Sequence, residues 1–597
     1  MLNDLQPPSS CSSGVCGAVR VEDVGEAGYL ELHPRSARSI SLRTTTNIHH
    51  VRRSIILTSL LEGPERRPSK QPLGKWATCG EIGAAVIKNE PSAPEGHEPL
   101  LVERRVSRAS FLRLLGVGIG LSIVPTSLGV LKGETSVAQT LEGATSSILS
   151  GGQYPIGVWW PPPPNWTNQA FYAQIAQAGF NFVIGGNGVV NDDTNPAALD
   201  AAAANGLRFL LTDSRLKKLI EENAAAGSVS AQDSETLSIM RYLLDQEEPE
   251  AATSPGNDLS TQATSSDVRR RIERLLSELY RSGDYPALTG LNLYDEPPSK
   301  LFATLGFARG VVQEIASEKL PYVVALPSYA TQSALGSSTY EGYLERYMKT
   351  VQPPVLSFGH YPLLREGITR DYFYNWAQIR KFSLKYGVPS WVFIQSLGFD
   401  SRMPGFKDRR GPNEAEIRWQ VNVSLAYGAK GIQYFTYWTP ADSPQIKFRQ
   451  ALVSRSGGRT PIYNYAKNVN AYLRAVGKEL LPLVSETVVH AREKRLPLGA
   501  KPFRADTYVR SVSGNPIILG RFRKPGLPDA RYLLAANRSP SKVAKSRLTF
   551  SERVRGVFRL DIGTGRYVRV ALRGTPKREL PLSLAPGSAR LYMLRTG

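Results

Sequence analysis

Between residues 154 and 440, short apolar runs alternate with longer amphipathic stretches. The apolar runs fall at 154–160, 181–186, 207–213, 289–294, 322–326, 355–358, 390–395 and 431–437. Runs this short, closed by Gly, Asn, Asp or Pro, read as strands buried on both faces. The stretches between them carry a 3.6-residue period and predict helices at 167–178, 196–204, 268–281, 301–317, 343–351, 371–385 and 414–427. Strand alternating with helix is the βαβ pattern, and eight such strands predict an α/β fold, a (β/α)8 TIM barrel.

After about residue 480 the period drops to two. Apolar-polar alternation at 487–492, 508–513, 516–523, 531–537, 547–550, 556–561, 567–572 and 589–594, punctuated by Gly, Pro and Asp, predicts an all-β sandwich that packs on the barrel. The expected organisation is a 1–100 extension without periodicity, a 101–140 export segment, a barrel over 150–478 and a sandwich over 480–597. Two connections exceed a normal crossover. The stretch 215–266 has a polar middle at 246–266 that reads as an exposed insertion, and the loop 398–413 after strand seven is placed to shape a substrate cleft.

Within the export segment a basic cluster (Arg104, Arg105, Arg108, Arg113) leads into an apolar run at 114–131, then into small residues at Ser136 and Ala138. That order describes a bacterial-type signal peptide at about 101–138 and predicts a secreted or cell-surface protein. An uncleaved anchor is the alternative, and it is the only membrane contact expected. Residues 107–113 resemble a twin-arginine signal, with Ala109 where the second arginine belongs. A signal this far into the chain implies that residues 1–100 come from a start codon assigned too early.

Composition narrows the chemistry. The three cysteines, Cys11, Cys16 and Cys79, all lie in the first hundred residues, and the six histidines are scattered, so no metal site and no cofactor is expected. The net charge of +21 is dispersed and accompanies no nucleic-acid motif, which reads as a solvated basic sheet face, with no nucleic-acid partner expected. A module adhering to anionic polymers is a lesser reading of the same charge.

The chemistry concentrates at the predicted strand ends, where a barrel builds its active site. Strand four runs through Thr289-Gly-Leu-Asn-Leu-Tyr-Asp-Glu-Pro-Pro298 and delivers Asp295 and Glu296 just before a proline that bars helix. These acids either cap the next helix or do chemistry. The other strand ends carry Trp159 and Trp160, Asn187, Asp213, Tyr329, His360 and Tyr361, Gln395, and Trp438. Aromatic rings suit the apolar faces of pyranoses and the polar side chains suit their hydroxyls, so a carbohydrate is the expected substrate.

Three motifs, Tyr294-Asp-Glu-Pro297, Phe358-Gly-His-Tyr-Pro362 and Gln433-Tyr-Phe-Thr-Tyr-Trp438, resemble those of clan A glycoside hydrolases, the barrel enzymes that include cellulases and family 42 β-galactosidases. The resemblance implies Glu296 as general acid/base with Asp295 replacing the usual asparagine, His360 and Tyr361 as the strand-six pair, and Trp438 as the floor of the cleavage subsite. It also places Gln395 where the clan has its nucleophilic glutamate. An amide cannot form a glycosyl ester, which leaves three accounts open. Another acid partners Glu296, with Asp213, Asp295, Asp400 and Asp442 as candidates and Asp295 disfavoured because neighbours on a strand face opposite ways. Alternatively, the substrate supplies the nucleophile and Gln395 orients it, or the protein binds glycan without cleaving it. The leading expectation is an exported glycoside hydrolase acting on a polysaccharide or oligosaccharide, and its alternative is a catalytically inactive secreted carbohydrate-binding protein.

Overall fold

The computed structural model describes residues 18–23, 26–31, 148, 152–226, 263–281, 283–403 and 406–597. The chain divides into two compact units, Met1–Gly129 and Val130–Gly597. The first contains an antiparallel ribbon, Ala18–Asp23 with Glu26–Glu31, where the sequence pattern indicates no element. The export segment and most of the 246–266 insertion lie outside the described residues. Among the described residues no helix is long and apolar enough to cross a membrane.

The second unit is built on a closed barrel of eight parallel strands in sequential order: Ile156–Trp159, Phe182–Ile184, Arg208–Thr212, Leu288–Asp295, Leu320–Ala325, Leu356–Gly359, Ser390–Gln395 and Gly431–Phe435. All eight match the predicted apolar runs within a few residues. Nearly every strand residue is buried, because helices cover the outside and side chains fill the inside. Large rings occupy the lumen: Trp391 of strand seven meets Phe182 of strand two at 5.3 Å and Tyr322 of strand five at 5.9 Å. Space for them comes from strand one, where a Cβ on Gly157 would lie 2.1 Å from the Phe182 ring.

A polar ring lies beside those aromatics. Tyr322 Oη contacts Ser357 Oγ at 2.7 Å, Ser357 Oγ donates to Gln433 Oε1 at 3.2 Å, and Gln433 Nε2 donates back to Tyr322 Oη. With those two donors fixed, Tyr322 must donate to Ser357, so each hydroxyl gives one hydrogen bond and accepts one. Strands five, six and eight are thereby tied through a fully satisfied buried network, the form in which polar groups are tolerated in a core.

Two long helices, besides the short Gln332–Leu335, are additional to the predicted set. Ser214–Ala226 follows strand three, and Pro461–Leu480 follows strand eight, opening with Thr460 Oγ1 accepting from Ile462 N and a proline in its first turn. The predicted helix at 268–281 is a capped α-helix, Ser265–Glu273, that continues as a π-helix, Arg274–Leu279.

The C-terminal region is the predicted sandwich. A six-stranded antiparallel sheet faces a three-stranded one, with Val512, Leu519, Leu533, Leu548, Leu582 and Leu594 among the residues of the core between them. One strand, Glu579–Leu584, is absent from the sequence-based set. Its Pro581 interrupts a strand pattern, but this strand lies at a sheet edge, where proline is tolerated. The larger sheet packs its outer face on the helix Glu414–Ala426. Trp419 Nε1 donates to Arg538 O at 3.0 Å and Asn422 Nδ2 to Gly587 O at 2.9 Å. Gly587 has φ +65° and a Cβ there would meet Ala415 O at 2.1 Å, so this close approach admits only glycine.

Candidate active site

Strand four ends in an unusual backbone. Glu296 has φ +52°, in the left-handed region, while its N–H still donates to Val324 O of strand five at 2.8 Å. Trp160 after strand one (φ +65°) and Asn187 after strand two (φ +56°) share that conformation. Three of the five non-glycine residues with positive φ among the described residues therefore lie on one rim of the barrel. At Trp160 and Glu296 this costs about 1–2 kcal/mol, and strain of this kind persists where the surroundings force it and clusters at functional sites. The N-cap positions of the 3-10 turn Ser299–Leu301 and of the helix Phe302–Ile315 are Pro298 and Leu301, so neither Asp295 nor Glu296 occupies one.

Glu296 is 2% exposed and lies among phenols. Its charge acts on Tyr329, Tyr340, Tyr343 and Tyr361. Burial first, then Glu296, holds the Tyr329 and Tyr361 phenols well above their ordinary pKa, so both stay protonated and able to donate across the neutral range. Asp295 also acts on Tyr343 and Tyr361, and on Tyr322 of strand five.

Tyr361 heads a stack of three rings. Phe435 of strand eight lies 4.6 Å from Tyr361 at 25° and 5.6 Å from Trp159 at 27°, and Trp159 Nε1 donates to Gly185 O. Trp159 is thus a wall of the site with its polar atom satisfied. Trp160 Nε1 and Tyr361 Oη differ: both are buried and, among the described residues, neither has a hydrogen-bond partner. A buried unpaired donor costs about 1–3 kcal/mol, which a ligand oxygen would relieve.

Several expected ligand contacts are committed elsewhere. Gln395 donates through Nε2 to Leu397 O at 3.1 Å and Arg410 O at 2.7 Å, and accepts from Leu363 N at 2.8 Å. The strand-seven side chain therefore stitches loops six and seven together. Asp213 accepts from Leu216 N at 2.7 Å and is clamped by Arg271, which also holds Asp192. His360 bonds Asn375 Oδ1 through Nδ1 at 2.9 Å and Thr369 Oγ1 through Nε2 at 2.8 Å. Burial lowers its pKa, with nearby Asp371 opposing, and a neutral ring fits both bonds only as the Nδ1–H tautomer. Trp438, 3% exposed, packs on Trp166 at 5.4 Å and Phe171 at 5.7 Å, and Asn187 Nδ2 donates to Pro161 O at 2.7 Å.

The remaining candidate acids are ion-paired on the surface, Asp400 with Arg449 and Arg365, and Asp442 with Arg455. Tyr329, which packs on Phe406 at 5.8 Å and on His360 at 5.1 Å, is only partly buried, as are Phe406 and Asp371. Two of the charged residues there, Asp371 and Arg409, are not singled out by the sequence pattern. Arg409 is buried against Phe399 and Phe406 and donates from Nε to Tyr361 O at 2.6 Å. Its place in a long charged loop after strand seven is the only sequence signal for it.

No family model and no curated protein matches the chain. Among solved structures it is similar to a β-galactosidase from the psychrophilic Marinomonas ef1, with 13% identity over 55% of this chain, 62% of that one and a TM-score of 0.33. The chain thus spans less than two thirds of that protein's length. It is also similar to a GH42 β-galactosidase from G. stearothermophilus (10% identity, 75% and 99% covered, TM-score 0.44) and to a bifunctional glucanase-xylanase from a metagenome library (11%, 74% and 99%, 0.33).

Proposed function

We propose that the protein is a glycoside hydrolase in which Glu296 is the acid that protonates the leaving oxygen of an O-glycosidic bond. The observation that carries this reading is the placement of Glu296 in strained backbone at a barrel strand end, among protonated phenols. Trp160 Nε1 and Tyr361 Oη supply directed donors for sugar oxygens, and the adjoining rings supply apolar faces. The substrate is a polysaccharide or oligosaccharide met outside the cell, in keeping with the signal-like segment at 101–138.

Glu296→Gln tests this reading. Reducing-end release from a polysaccharide and oligosaccharide panel should fall at least about a hundredfold, with glycan affinity nearly unchanged by calorimetry. Wild-type turnover in that variant would remove Glu296 from the mechanism. A second reading, glycan binding without cleavage, is favoured by one observation: the strand-seven position that bears the nucleophile in clan A enzymes is an amide bonded to three backbone groups. Tight glycan binding by a wild-type protein that releases no sugar would establish it.

A further inference from the structure

Resting on Glu296 as the acid, we infer that Asp371 is the second carboxylate of the site, the base that activates water, and that hydrolysis inverts the anomeric centre. Asp371 stands just before the helix Tyr372–Tyr386, in the loop that follows strand six. Ser328 Oγ donates to its Oδ2 at 2.6 Å, which anchors the carboxylate to the loop after strand five, beside Tyr329. Its Oδ1 lies 3.8 Å from His360 Nε2, beyond hydrogen-bond reach. That nitrogen accepts from Thr369 in the neutral tautomer, so it has no proton to give Asp371.

A water-activating base needs an ionised carboxylate with a vacant lone pair and access to solvent, and that requirement separates Asp371 from the other acids nearby. Asp192 and Asp213 share Arg271, Asp400 is bound to Arg449, Asp408 to Arg365 and Asp442 to Arg455. Asp295 is buried. Asp371 has no arginine or lysine within 4 Å among the described residues, and its side chain is 25% exposed. The two acids stand on neighbouring strand ends: Glu296 N donates to Val324 O of strand five, Ser328 four residues further on holds Asp371, and the adjoining Tyr329 ring lies 5.1 Å from His360 of strand six, in keeping with the influence of both acids on the Tyr329 phenol. Retaining hydrolases need a nucleophile in contact with the sugar, whereas a base working through water stands about 6.5–9.5 Å from the acid.

The step balances. Protonated Glu296 gives its proton to the glycosidic oxygen as the C1–O bond breaks and the electron pair leaves with that oxygen. Water forms the new C1–O bond from the opposite face and passes a proton to Asp371. One water is consumed, a hemiacetal and an alcohol are released, and solvent returns the proton from Asp371 to Glu296.

Proton NMR of the wild-type reaction on the released-sugar substrate reports the configuration of the first anomer formed, which should be inverted. Asp371→Asn should lower kcat/KM about a thousandfold, with its thermal midpoint held because asparagine keeps an acceptor for Ser328. Dinitrophenyl glycosides, which need no acid, should restore much of the activity of Glu296→Gln and none of that of Asp371→Asn. A retained configuration, or an Asp371→Asn enzyme above a tenth of wild-type activity, overturns the role of Asp371 while Glu296 stands. Asp371→Asn rescued by the activated substrate overturns it as well. Wild-type protein that hydrolyses nothing in the panel overturns both assignments.

Discussion

Gln395 and Gln420 clasp one another across the seventh strand and the helix behind it: Gln395 N donates to Gln420 Oε1 at 2.9 Å, and Gln420 Nε2 returns a hydrogen bond to Gln395 O at 3.0 Å. The backbone of strand seven is pinned at the residue whose side chain bonds Leu363, Leu397 and Arg410. Gln395→Glu would point a carboxylate oxygen at two carbonyls, Leu397 O and Arg410 O. The expected cost is about 3 kcal/mol in urea unfolding, from two lost donors and a buried charge facing acceptors. No retaining activity should appear. A stable, retaining Gln395→Glu enzyme would mean that the site needs only this one atom to recover a nucleophile.

Much of this architecture is legible in the sequence because it depends on local pattern. The eight barrel strands are apolar runs of strand length, and burial on both faces follows from composition alone. The helix Pro461–Leu480 is missing from the sequence-based set, although its buried Tyr463, Ala466, Val469, Asn470, Leu473, Val476 and Leu480 recur at helical spacing behind a Thr-Pro start. What local pattern does not carry is pairing at a distance. Asp213 stands at a strand end like a catalytic acid, but its partner Arg271 is 58 residues further on. Gln395 occupies the expected place and faces the expected end of the barrel, yet its amide is used by backbone groups that only the folded loops bring near. Asp371 reads as an ordinary helix start until Ser328 and His360 close around it.

The Arg271 cluster is a structural element with a measurable weight. Arg271 and Asp213 are 4% and 1% exposed, and Arg271 also binds the more open Asp192. Arg271→Met strands the Asp213 carboxylate without a countercharge, and chemical denaturation should report a loss of about 3–5 kcal/mol. Adding Asp213→Asn should restore part of it, because the stranded charge and not the lost contact dominates. An Arg271→Met protein within 1 kcal/mol of wild type would show that water reaches Asp213.

Strain at Glu296 predicts a trade between stability and activity. Asparagine accepts left-handed backbone more readily than glutamate, so Glu296→Asn relieves part of the roughly 1–2 kcal/mol stored there. Thermal unfolding should give a midpoint at or above wild type while hydrolysis is lost. A midpoint several degrees lower would mean that the Glu296 side chain stabilises the fold and is not merely held by it.

Acid should weaken the fold through two buried histidines. Burial lowers the pKa of His360, and burial likewise lowers that of His490, which accepts from Tyr427 Oη at 3.0 Å and faces Glu493 Oε1 at 3.0 Å, an opposing influence. With folded pKa values below the unfolded value of about 6.5, the unfolded chain binds more protons as pH falls through that value. Stability contributed by the neutral rings is therefore complete above about pH 6.5, declines below it, and levels off under the folded pKa values. His490 lies between the barrel and the sandwich, 4.7 Å from Phe373, so part of this acid sensitivity belongs to their docking. Urea midpoints between pH 7.5 and 5 should fall less steeply in His490→Gln than in wild type. Parallel profiles would assign the acid sensitivity to groups other than His490.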